Sequence, residues 1–132
     1  MHTNSVQKYY NVTENDGPIR YSFAASRYDY FRIAKTILDD WQNDTCAGKY
    51  LKTIYENRIP KNVNLPDSDP EGNSKSYAGQ FHTDYKGLDR VIMGMNGAAG
   101  QSIIIDFEKS KIVVINSINN DYNWKKLAIE KF

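Results

Sequence analysis

Three groups of residues have the types and spacing to do chemistry. Ser5-Val6-Gln7-Lys8 sets a lysine three residues after a serine, and Tyr9-Tyr10-Asn11 follows at once. A lysine or tyrosine held beside a serine hydroxyl can take its proton for acyl transfer. With nine Ser and 12 Lys in the chain, roughly one Ser-x-x-Lys is expected by chance, and such a motif gains meaning only from its context. A working pair opens a buried helix, whereas no apolar periodicity follows Lys8, so the spacing reads as coincidence. The second group is Asp67, Asp69 and Glu71 in a proline-bearing stretch. They lack the spacing of a calcium loop and read as a solvated loop. The third is Asn96-Gly97-Ala98-Ala99-Gly100-Gln101, where small residues let a backbone or a ligand come close.

Single residues add little. Cys46 is alone, which excludes an internal disulfide and a cysteine zinc site; it reads as a packing residue. His82 sits mid-strand with no second His, Cys or carboxylate at ligand spacing. No metal or other cofactor is expected.

The elements that must position the third group are legible around it. Residues 91 to 95, 102 to 107 and 112 to 118 read as three strands, with Glu108 to Lys111 as a polar hairpin turn. The last two are rich in Ile and Val with little alternation, the pattern of strands covered on both faces. Residues 77 to 85 alternate and read as one outer strand. Ser26 to Gln42 predicts a helix that opens on a Ser26–Asp29 capping box. Tyr30, Ile33, Ala34, Ile37, Leu38 and Trp41 fall on one face of it. Gly48 to Asn57 predicts a shorter helix with Tyr50, Leu51, Ile54 and Tyr55 on one side. Ile59 to Ser76 reads as a loop, and residues 122 to 132 as a last helix packed on the sheet. Residues 1 to 20 read as a polar arm, and 21 to 132 as a single α+β domain. Its expected core is an antiparallel sheet of three to four strands flanked by helices.

Composition bounds the partners. The 132 residues suffice for one domain; 40% are hydrophobic and 25% charged, as in a globular chain. Seventeen basic against 16 acidic residues give a net charge of +1, so neither nucleic acid nor a membrane is expected as a partner. No apolar run reaches the length of a membrane span.

Ala25-Ser26-Arg27-Tyr28-Asp29-Tyr30-Phe31-Arg32-Ile33-Ala34, then Gly48-Lys49-Tyr50-Leu51, then Asn96 to Gln101 followed by Ile-Ile-Ile-Asp, occur in that order. Together they resemble the C-terminal portion of the serine β-lactamase and penicillin-binding-protein-like superfamily, nearest to its class C-related esterases and amide hydrolases. The resemblance covers about residues 20 to 132, and about a third of a family member. It implies acyl transfer through a serine ester on an ester, amide or lactam substrate. Asn96 then occupies the third-motif place of a Lys or His, and the Ala99 N–H the place of an oxyanion donor. Gly97, Ala98, Gly100 and Gln101 would line the substrate. Two departures stand out. Asn96 is uncharged, and the family's nucleophile and Tyr-x-Asn regions lie upstream of the matched part. The chain is therefore expected to be incomplete or inactive alone, and to self-associate through the surface the remainder would cover. A longer precursor with a signal peptide would place it in the periplasm or outside the cell. The alternative is a noncatalytic domain that binds a small molecule or protein through the Gly-rich bend and exposed tyrosines, of which the chain has ten.

Overall fold

A computed structural model describes residues 7–9, 22–61, 74–97, 100–116 and 130–132. Two short strands, β1 (Gln7–Tyr9) and β2 (Ser22–Ala24), pair antiparallel. Helices α1 (Arg27–Gln42) and α2 (Cys46–Glu56) follow. The remaining strands are β3 (Ile59–Pro60), β4 (Ser74–Ala78), β5 (Phe81–Tyr85), β6 (Ile92–Gly97), β7 (Gln101–Asp106) and β8 (Lys111–Ile115). They form one antiparallel sheet in sequence order, β3-β4-β5-β6-β7-β8. The fold is α+β, as the sequence predicts, but the sheet has six strands in place of three or four. Two local features account for the difference. The expected outer strand is a hairpin, broken at Gly79 by a positive φ of 60°, and Ile59-Pro60 adds a two-residue edge.

Helix α1 starts where its capping residues dictate. Ser26 Oγ accepts from Asp29 N at 3.2 Å, and Ser26 N donates back to Asp29 Oδ2 at 3.1 Å. Helix α2 begins two residues earlier than predicted, because Thr45 Oγ1 accepts from Gly48 N and caps it. The two helices cross tightly at Gly48. A β-carbon there would stand 1.9 Å from the Asp40 carbonyl oxygen, so only glycine lets the backbones approach.

One sheet face carries Met93, Ile103, Ile105 and Phe107, and it packs against Ala34 and Leu38 of α1 and Leu51 of α2. Trp41 anchors this layer, its ring 4.4 Å from that of Phe107. Two predicted core positions point elsewhere: Ile33 is exposed and Tyr50 is 65% exposed. Both sit at the margins of their helical stripes and outside the cluster that packs on the sheet. Cys46 is exposed too, at the first turn of α2 and clear of the core, which corrects the expectation of a packing residue. The other sheet face holds Tyr85, Ile92 and Ile104, with Leu88, Val113, Ile115 and Phe132 against them. The arm apart from β1, the acidic stretch and most of the predicted last helix lie outside the described residues.

A buried ion pair fixes the turn between β7 and β8. Asp106 is fully buried. Its Oδ2 accepts from Arg90 Nε at 2.6 Å, and its Oδ1 accepts from the backbone N–H groups of Glu108 (3.1 Å) and Lys109 (2.9 Å). Arg90 Nη2 also donates to the Phe132 carbonyl at 2.9 Å. Removing one partner leaves the other charge buried without compensation, which typically costs about 3–5 kcal/mol. Asp106→Ala is expected to lower urea-unfolding stability on that scale. In Arg90→Met/Asp106→Ala the combined loss should fall short of the sum of the single losses by at least about 1 kcal/mol. A loss under about 1 kcal/mol in Asp106→Ala, or strict additivity, contradicts this reading of the pair.

Candidate functional site

Strand β6 ends at Gly97, which pairs with Gln101 at the start of β7, so three residues make the link. Gly100 closes it with φ of 78°, a left-handed conformation that glycine adopts without strain. The register Asn96↔Ser102 places these two side chains on the same face. There Ser102 Oγ donates to Asn96 Oδ1 at 3.0 Å. Beside them opens a cleft of about 210 Å³. Met95, Ile103 and Ile115 supply its apolar lining, and Tyr30 reaches it from α1. Asn96, Gly97, Gln101 and Ser102 also border it. The register puts the Asn96, Ser102 and Ile115 side chains on the sheet face opposite Met95, Ile103 and Tyr30, so the cleft lies at the sheet end. Of the predicted site residues, Asn96, Gly97 and Gln101 therefore line one cleft. Gly100 is buried in the bend, and Ala98 and Ala99 lie outside the described residues, as does Ser5.

Two groupings were not legible in the sequence. The first involves His82, which is buried. Its Nδ1 lies 2.7 Å from Lys61 Nζ and 3.4 Å from Ser74 Oγ, and Lys61 Nζ also donates to Ser74 Oγ at 2.5 Å. An ammonium group only donates, so Nδ1 accepts and the ring proton sits on Nε2. The Tyr77 ring meets His82 edge-on at 5.0 Å. This cluster binds the β3 edge to β4 and β5. His82 is thus held by residues 21 and eight positions away, separations at which no local spacing signals a contact.

The second grouping is a charged cleft of about 510 Å³ at the other end of β6. Arg58, Lys75 and Arg90 face Asp84, Asp89 and Glu108 around it. Arg58 Nε donates to Asp84 Oδ2 at 2.6 Å, and its guanidinium stacks 4.3 Å over the Tyr55 ring. Asp84 takes a left-handed φ of 55°, which Asp tolerates better than most residues. Strict alternation would put Tyr85 on the helix-covered face beside Thr83. The kink at Asp84 instead turns Tyr85 to the opposite face, against Ile92 and Ile104. There its hydroxyl is buried without a hydrogen-bond partner among the described residues, and burial raises its pKa above the ordinary value. Gly94 makes room for it: a β-carbon at that position would stand 2.0 Å from the Tyr85 hydroxyl oxygen.

No metal-binding cluster of His, Cys, Asp and Glu occurs among the described residues. No described helix is long and apolar enough to cross a membrane. Comparison with protein-family models, with curated proteins and with solved structures finds no match to this chain.

The Tyr85–Gly94 contact predicts an asymmetric pair of substitutions. Gly94→Ala should destabilise by about 1–3 kcal/mol through overpacking. Tyr85→Phe, which removes an unsatisfied buried hydroxyl, should be neutral or stabilising and should recover much of that loss in the double variant. Chemical denaturation checks both; an unaffected Gly94→Ala contradicts the contact. Burial works to raise the Asp84 pKa, but hydrogen bonds from Arg58 and Ser76 and the charges of Arg58 and Lys75 outweigh it, leaving the carboxyl below its ordinary 3.8. Its stabilising effect is therefore complete above pH 3.8 and is lost as pH falls below that value. Asp84→Asn should flatten the fall in stability below that pH, and an acid limb identical to the parent's would contradict the assignment.

Proposed function

We propose that this chain supplies one wall of a serine acyl-transfer site of the β-lactamase-like group, acting on an ester, amide or lactam. The nucleophile comes from outside these 132 residues. The observation that carries the reading is the bend itself. Asn96 and Gly97, at the third-motif position of the resemblance, end a strand on a cleft large enough for a small acyl group. The antiparallel sheet with α1 and α2 on one face supports it further.

In this reading a serine hydroxyl attacks the substrate carbonyl while a base removes its proton, and that proton passes to the leaving group. The oxyanion of the tetrahedral intermediate accepts from the Ala99 N–H and from the N–H of the nucleophile. Asn96 orients the substrate by hydrogen bonding and contributes no charge. The outer strand β8, rich in Ile and Val, pairs only with β7 among the described residues, which supports self-association along that edge when the chain is alone. A second reading, a noncatalytic binding domain, draws support from Tyr28 and Tyr50, 67% and 65% exposed.

Intact-protein mass spectrometry after fluorophosphonate treatment separates them. The chain alone is expected to stay unlabelled. The chain joined to the nucleophile-bearing segment that this reading requires is expected to gain one adduct. Ala99→Pro, which deletes the assigned N–H donor, should slow labelling of the extended protein about 10²–10³-fold. An adduct on the chain alone that disappears in Ser5→Ala or Ser74→Ala would overturn the proposal. An extended protein that stays unlabelled would favour the noncatalytic reading.

A further inference from the structure

The charged cleft of about 510 Å³ holds groups of both signs that do not all neutralise one another. Its two arginines are committed. Arg58 donates from Nε to Asp84 and from Nη1 to the Tyr55 carbonyl, which leaves Nη2. Arg90 donates to Asp106 and to the Phe132 carbonyl. Lys75 and Asp89 line the same cleft and are exposed, yet neither side chain pairs with another among the described residues. Glu108 accepts from the Val91 N–H with one carboxylate oxygen, and the other is left.

These groups act on one place. Tyr55 belongs to the helix-side layer, and its hydroxyl makes no hydrogen bond among the described residues. Its pKa lies above the ordinary value, raised first by burial; Arg58 draws it down, while Asp84, Glu108 and Asp89 push it up. The charge of Lys75 in turn reaches Asp84. Lys75 rises from β4 and Asp89 from the segment leading into β6. With β5 between them, their backbones stand about 10 Å apart. Opposite charges within reach would pair and close the cleft. Held apart, they can both be met only by a molecule that carries both signs.

We propose that this cleft binds a small zwitterion of the amino-acid type, its carboxylate held by Lys75 and Arg58 and its ammonium by Asp89 and Glu108. The Tyr55 hydroxyl hydrogen-bonds the ligand between the two ends. This site is separate from the bend and does not depend on the acyl reading of it. Lys75 and Asp89 determine specificity, because each is the uncommitted charge on its wall. Arg58, fixed by Asp84 and by stacking on the Tyr55 ring, supplies a donor that is already in place.

Unbranched ω-amino acids from glycine to 6-aminohexanoate test this beside butylamine and butyrate, which carry one charge each. Each is titrated into the full chain at neutral pH and low salt, and the backbone amide resonances of Gly87 and Val91 are followed by NMR. At least one ω-amino acid longer than glycine is expected to bind about tenfold or more tightly than either single-charge compound. Lys75→Gln should remove the advantage over butylamine, and Asp89→Asn the advantage over butyrate. Both residues are exposed, so both variants should fold. Butylamine binding as well as the best amino acid would reduce the cleft to an acidic patch and overturn the proposal. So would a folded chain whose resonances no compound shifts, or affinity ratios that the two variants leave unchanged. Any of these results leaves the acyl reading of the bend as it stands.

Discussion

The burial of one carboxylate constrains much of this molecule. Asp106 is wholly removed from solvent at the end of β7. An isolated ion at such depth would be untenable, so its surroundings must supply donors, and they supply three. Arg90 approaches from the segment before β6, and two backbone N–H groups come from the turn that leads into β8. The same arginine reaches on to the Phe132 carbonyl. Gln42, at the end of α1, ties the helical layer to this turn through Ser110 at 2.6 Å. Entry to β6, exit from β7 and the end of the chain thus meet at a single charge. Because Ile92 pairs with Asp106 and Gly97 with Gln101 in one unbroken register, fixing one end of the β6–β7 ladder fixes the bend at the other.

The ladder separates two kinds of chemistry. At the Arg90 end, ion pairs and a kinked Asp84 crowd around a charged cleft, and the kink turns Tyr85 across the sheet toward Gly94. At the bend, the side chains are short, apolar or amide.

The sequence made the central ladder legible because its signals are local. Ile103 to Ile105 and Ile112 to Ile115 are β-branched runs, and a polar turn divides them. The Ser26–Asp29 capping box lies within four consecutive residues and marks the start of α1 to the residue. What the sequence hid depends on distant partners. Ile59-Pro60 looks like loop because a proline breaks the pattern, yet Lys61 N bonds to the Lys75 carbonyl at 2.8 Å and extends the edge. The left-handed residue at 84 hides the change of face in β5, since alternation carries no record of a kink. Tyr50 and Ile33 satisfied helical spacing, but a spacing rule cannot tell which members of a stripe meet the core. At the bend, Asn96, Gly97 and Gln101 are neighbours along the chain and so were readable as a group, whereas Tyr30 and Ile115, which border the same cleft, come from elements that only the tertiary fold brings there.

A crystal structure of the gene's full product, trapped with a fluorophosphonate, would address the central claim most directly. If the bend is an acyl-site wall, the phosphonyl oxygen will lie within hydrogen-bond distance of the backbone N–H at Ala99, with the Asn96 amide beside the bound group. A phosphonyl group seated in the charged cleft between Arg58 and Arg90, or one whose oxygen turns away from the bend, would contradict it.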